Sequence, residues 1–150
     1  MPHLLDTSAL LAHYRNEAGA DQVQALFDTD GQAVLICSVS LPELSRRLRA
    51  LGVSAQEAAQ VVNDYRELVD EVVAVDAAVA EAGGDLLRGA PARLPLVEAL
   101  IAAAAGIRHA VLVHRDAHLR AIPAALIRQL DLEAAPPAPQ PRPSTFQPSR

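Results

Sequence analysis

The chain has 150 residues, 51% hydrophobic and 21% charged, enough apolar material for one compact domain and too much for a disordered chain. A single cysteine, Cys37, excludes an internal disulfide and a cysteine zinc site and suits a reducing cytoplasm. The formal charge of −5, with all 13 basic residues arginine, argues against a broadly basic nucleic-acid surface.

The first residues, Met-Pro-His-Leu-Leu-Asp, lack the basic start and long apolar run of a signal peptide, and the longest charge-free apolar run, residues 99–107, is too short to span a bilayer. A cytoplasmic protein with no membrane contact is expected. His3-Leu4-Leu5-Asp6 predicts a short buried strand ending in an acid, followed by a helix over residues 9–14 begun by Thr7 or Ser8. A second helix is expected over residues 20–27, and the apolar run 33–37 has the length of a strand covered on both faces.

Ser40-Leu41-Pro42-Glu43 opens a helix to about residue 51, with Gly52 as its stop, and Ser54 caps the next, to about residue 70. Residues 72–75 predict a short strand, 76–87 a helix weakened by Gly83-Gly84, and 89–91 a loop. Residues 96–105 predict an apolar helix ended by Gly106. Residues 110–113 predict a buried strand, then comes a short helix, and 126–130 predict an edge strand. Alternating strands and helices imply parallel β-α-β units and an α/β layered domain over residues 1–133. Six of the 11 prolines fall within residues 136–148, so residues 134–150 are expected to be a disordered Pro-rich tail.

Four acids stand out by position. Asp6 and Asp116 each follow a predicted strand, at the edge where ligands bind in open α/β sheets, although either acid also suits a helix cap or turn. Glu43 is the third helical residue after Ser40, a spacing that fits a capping box. Glu98 is the only polar side chain in residues 96–105. A buried carboxylate needs a partner, a proton or a metal, though one near a helix start also benefits from the dipole. Right-handed crossovers place all four on one sheet edge. Clustered carboxylates repel one another and suit hard cations such as Mg²⁺ or Mn²⁺, which activate water and stabilise charge on a phosphodiester. With four acids so neutralised, the net charge is no longer an objection to a nucleic-acid substrate.

The segments Leu4-Leu5-Asp6-Thr7-Ser8-Ala9-Leu10, Ser38-Val39-Ser40-Leu41-Pro42-Glu43-Leu44, residues 94–103 around Glu98, and Val111-Leu112-Val113-His114-Arg115-Asp116 together resemble PIN-domain nucleases. In particular they resemble VapC-like toxins of bacterial toxin-antitoxin pairs, over about residues 3–130. The resemblance implies a three-layer α/β/α fold with a parallel sheet of order 3-2-1-4-5. It implies Mg²⁺- or Mn²⁺-dependent cleavage of RNA, commonly structured RNA such as tRNA, as well as homodimerisation and inhibition by a small antitoxin protein. Carried over by position, Asp6, Glu43, Glu98 and Asp116 are the catalytic, metal-binding acids. Thr7, Ser8, His114 and His118 are candidates for the shell around them.

The chain departs from that pattern in three places: Glu98 where Asp is usual, His114 where Ser or Thr is usual, and His118 where a further Asp is common. The two histidines are open to two readings, as ligands or substrate contacts and as ordinary, partly exposed side chains, with the second preferred. Arg46, Arg47, Arg93 and Arg115 are candidates to steady charge on the substrate. Two other classes compete. A haloacid-dehalogenase-type phosphatase would need an acid at Ser8 and a lysine, and the chain has neither. A catalytically impaired PIN-like module that binds protein or RNA is the other.

Overall fold

In the computed structural model, residues 1–90 and 93–133 are described; the proposed tail, residues 134–150, lies outside them. Five strands form one parallel sheet: β1 (His3–Leu5), β2 (Val34–Cys37), β3 (Glu71–Val73), β4 (Val111–His114) and β5 (Gln129–Asp131). Their order is β3-β2-β1-β4-β5, and every neighbouring pair is parallel. This is the order implied by the resemblance. Leu5 sits in the centre of the sheet, in register with Ile36 on one side and Val113 on the other.

Successive strand residues face opposite sides of a sheet, and here each side is covered. Leu4, Leu35, Cys37, Val73 and Leu112 pack with α5 (Ala77–Gly89) and α6 (Leu96–Ile107). Leu5, Val34, Ile36 and Val113 pack with side chains of α1 (Thr7–Tyr14), α2 (Ala20–Asp28), α3 (Ser40–Ala50) and α4 (Ala55–Leu68). Continuous apolar runs such as Val34–Cys37, buried at all four positions, are what a sheet covered on both faces requires. In α6, Ala102 to Ala105 are all buried. Their small side chains let the helix lie close to the sheet, and they fill a core with almost no aromatic residues.

The expected elements are all present, with shifted ends. Ser54 and Asp76 cap α4 and α5, accepting hydrogen bonds from the N–H groups of Glu57 and Val79. Gly106 does not end α6, which continues to Ile107. The expected strand 72–75 is Glu71–Val73 instead, because parallel pairing with Leu35 to Cys37 sets its length. The edge strand expected at 126–130 starts only at Gln129. The Ser40–Glu43 capping box does not form. Ser40 is already the first helical residue, Val39 occupies the cap without a side-chain bond, and the Ser40 hydroxyl accepts from Thr7 Oγ1 at 3.3 Å. Among the described residues, no helix is long and apolar enough to cross a membrane.

Candidate active site

The strand order reverses between β2 and β4 on either side of β1, which makes the carboxyl end of β1 a topological switch point. Asp6 lies there. Its N–H donates to Val113 O at 2.9 Å, joining the ends of β1 and β4. Its Oδ2 caps α1, accepting the Ser8 N–H at 2.9 Å and the Ser8 hydroxyl at 2.5 Å. Its Oδ1 is buried and, among the described residues, has no hydrogen-bond partner. Capping and site placement therefore coexist in one carboxylate, one oxygen for each. Burial pushes the Asp6 pKa up to about 6, against the pull of the Ser8 hydrogen bonds and with help from the charges of Glu43 and Asp116.

Glu43 lies in the first turn of α3, freed from the capping role by the Thr7–Ser40 bond. Glu98 lies in the first turn of α6 and is largely buried. Asp116 caps α7 (Ala117–Arg120), its Oδ1 accepting from the N–H groups of His118 at 2.8 Å and Leu119 at 3.2 Å. Glu98, Asp116 and His118 each offer a ligand atom, and the three atoms lie within 4.8 Å of one another. Asp6 and Glu43 fall outside that tight group; their link to it is electrostatic, through the charges that act on Asp6.

The surrounding candidates divide clearly. Ser8 Oγ donates to Asp6 and accepts the Arg115 N–H at 2.9 Å, so it ties the ends of both central strands to the acid. Thr7 is buried and holds α1 to α3 through Ser40. His114 is fully buried rather than partly exposed. Its Nδ1 accepts the Asp116 N–H at 3.1 Å, which places the proton on Nε2, 2.7 Å from Gln129 Oε1. With both nitrogens engaged, His114 positions Asp116 and is not a ligand. Arg115 is likewise committed: its Nη1 pairs with Glu17 at 2.8 Å, and its Nε lies 3.5 Å from Glu133. Arg46, Arg47 and Arg93 are exposed. His118, a candidate for the shell from its spacing Asp116-x-His118, has its ring beside the acids Glu98 and Asp116.

A divalent cation fits these groups. The orphaned buried oxygen of Asp6, and the converging Glu98, Asp116 and His118, whose acids have no arginine partner among the described residues, offer the mainly oxygen donors that such ions take.

The fold and the acids define a three-layer α/β protein with an acidic site at the carboxyl edge of a parallel sheet. Comparison with known proteins then gives the family. The PIN domain model matches residues 3–125, and the chain belongs to the PIN-domain family, whose members are generally nucleases. Solved structures share the fold. A chain of VapBC2 from Rickettsia felis, bound to a DNA fragment from their promoter, aligns with TM-score 0.69 and 17% identity over 87% of this chain and 98% of that one. A chain of DNA-bound VapBC from Salmonella typhimurium gives 0.66 and 21%, over 88% and 98%. One from the Mycobacterium tuberculosis toxin-antitoxin system VapBC-5 gives 0.59 and 23%, over 87% and 98%. No curated protein matches the chain in sequence.

Proposed function

We propose that the chain is an endoribonuclease dependent on Mg²⁺ or Mn²⁺, and the cytoplasmic toxin of a type II toxin-antitoxin pair. The observation that carries this is Asp6: a carboxylate at the switch point, buried, with one oxygen unpartnered and two further acids raising its pKa. A buried carboxylate oxygen without a partner is costly unless it meets a proton or a cation, and a bound cation is the partner this reading supplies.

Asp6, Glu43, Glu98 and Asp116 would hold that cation. When bound, it supplies Lewis acidity that lowers the pKa of water and offsets charge on a phosphodiester. The chain's own contribution is placement. Ser8 fixes which Asp6 oxygen faces inward, His114 anchors the backbone of Asp116, and the Thr7–Ser40 bond sets the start of the helix carrying Glu43. RNA, with tRNA as the first substrate to test, and a small antitoxin are the proposed partners. The antitoxin is suggested by the VapBC complexes that share the fold. A homodimer is proposed as the assembly.

Asp6→Asn is expected to abolish Mg²⁺- or Mn²⁺-dependent cleavage of total tRNA, a loss of at least a hundredfold, while the circular dichroism spectrum stays that of the wild type. Cleavage by this variant at the wild-type rate would show that the site is misassigned. Wild-type protein that binds no Mn²⁺ at millimolar concentration would instead support the non-catalytic module.

A further inference from the structure

The group formed by Glu98, Asp116 and His118 is not purely acidic. His118 Nδ1 lies 3.4 Å from Asp116 Oδ1, a little beyond the roughly 3.0 Å between neighbouring ligands of an octahedral ion with bonds of about 2.1 Å, the coordination of Mg²⁺ and Mn²⁺. The placement is built locally. Asp116 Oδ1 accepts the backbone N–H of His118 itself, at 2.8 Å, so one turn orients the carboxylate and brings the ring beside it. His114, from below, holds the Asp116 backbone through its Nδ1. At the end of the neighbouring strand β1, the Asp6 Oδ1 is buried and, among the described residues, has no hydrogen-bond partner, a second carboxylate oxygen open to a positive ligand at this sheet edge.

We propose that His118 is a direct metal ligand beside Glu98 and Asp116, and that its nitrogen makes this chain prefer a first-row transition ion, Mn²⁺ in the test below, over Mg²⁺. The inference rests on the metal-dependent reading given above. Mg²⁺ takes oxygen ligands almost alone and gives up its waters reluctantly, whereas imidazole suits the transition ions. Replacing a carboxylate oxygen with a ring nitrogen therefore costs Mg²⁺ more than it costs Mn²⁺. His13 and His114 each have both ring nitrogens engaged with other side chains or backbone. Neither competes for the role.

The test reads the ligand directly. The full chain is loaded with one equivalent of Mn²⁺, and electron spin echo modulation is recorded. Modulation from a coordinated ¹⁴N is expected in the wild type and in His109→Ala, and is expected to vanish in His118→Ala. In competition titrations, His118→Asp is expected to narrow the preference for Mn²⁺ over Mg²⁺ by at least tenfold. The His118 side chain is 56% exposed, so these variants should fold, which circular dichroism checks. Nitrogen modulation that survives His118→Ala overturns the proposal. So does a wild-type signal from bound Mn²⁺ without nitrogen coupling, which leaves the acidic site itself standing. Absence of any Mn²⁺ binding would overturn both.

Discussion

At the scale of single residues, Asp6 has a measurable cost. Its pKa is raised from 3.8 to about 6 by burial, so the metal-free fold binds a proton that the unfolded chain has already released. Asp6 therefore contributes stability that is complete below about pH 4 and is lost as pH rises through about 6, a change of about 3 kcal/mol at most. Denaturant unfolding in a chelator from pH 4 to 8 should show this slope, and Asp6→Asn should flatten it and raise the metal-free stability at pH 8. Ser8 acts the other way. Its hydrogen bonds lower the Asp6 pKa, and its hydroxyl also accepts from Arg115. Ser8→Ala should move the Asp6 titration, followed by carboxyl ¹³C shift, above that of the wild type, and should destabilise the fold by roughly 1–2 kcal/mol. A Ser8→Ala titration at or below the wild-type value would show that the hydroxyl does not hold the carboxylate.

At the scale of elements, α5 and α6 lie against each other through Gly83. A Cβ there would stand 3.1 Å from Leu100 Cδ2, whereas at Gly84 it would meet only Arg88 Nη1 at 3.6 Å. Adjacent glycines that look equivalent in the sequence therefore have opposite expected responses. Gly84→Ala should stabilise by roughly 0.5–1 kcal/mol through helix propensity alone. Gly83→Val should destabilise, because its branches have to enter a packed contact. Thermal melts of the two variants check this, and equal shifts would mean that the helices pack more loosely than described. The helix starts show the same dependence on context. Ser54 caps as its position predicts, while Asp76, expected inside its helix, caps it instead. Ser40 does not, because a tertiary partner, Thr7, takes its hydroxyl.

At the scale of the whole molecule, the segment of β5 to Glu133 is tied back to the first helices. Gly19, with φ +94°, leaves its missing Cβ 2.7 Å from Leu132 Cβ. Arg115 links Glu17 to Glu133, and Arg120 pairs with both Asp131 and Glu133. Gly19→Ala should thus cost more than about 1 kcal/mol, from left-handed strain and from the collision with Leu132 together, as read by denaturant midpoint. The exposed ion pairs should contribute little, so raising salt to 1 M should leave that midpoint nearly unchanged. A chain cut after Glu133 should melt at the wild-type temperature if residues 1–133 form the whole domain.

Local pattern was enough to read the strands and helices and to single out the four acids as candidates, because short apolar runs, cap residues and the lone polar position in an apolar helix each leave a signal within a few residues; of the four, the structure brings Glu98 and Asp116 together, with His118. The strand order was expected only through family resemblance, and it took the folded sheet to show it pair by pair. Tertiary contact alone decided what each polar group does: which Asp6 oxygen is left unpartnered, that Ser40 serves Thr7, that His114 is buried under Asp116, and that His118 joins Glu98 across the site. Those outcomes depend on neighbours tens of residues away along the chain. No local spacing encodes the distance between two side chains that meet only when β1, β4 and α6 are packed together.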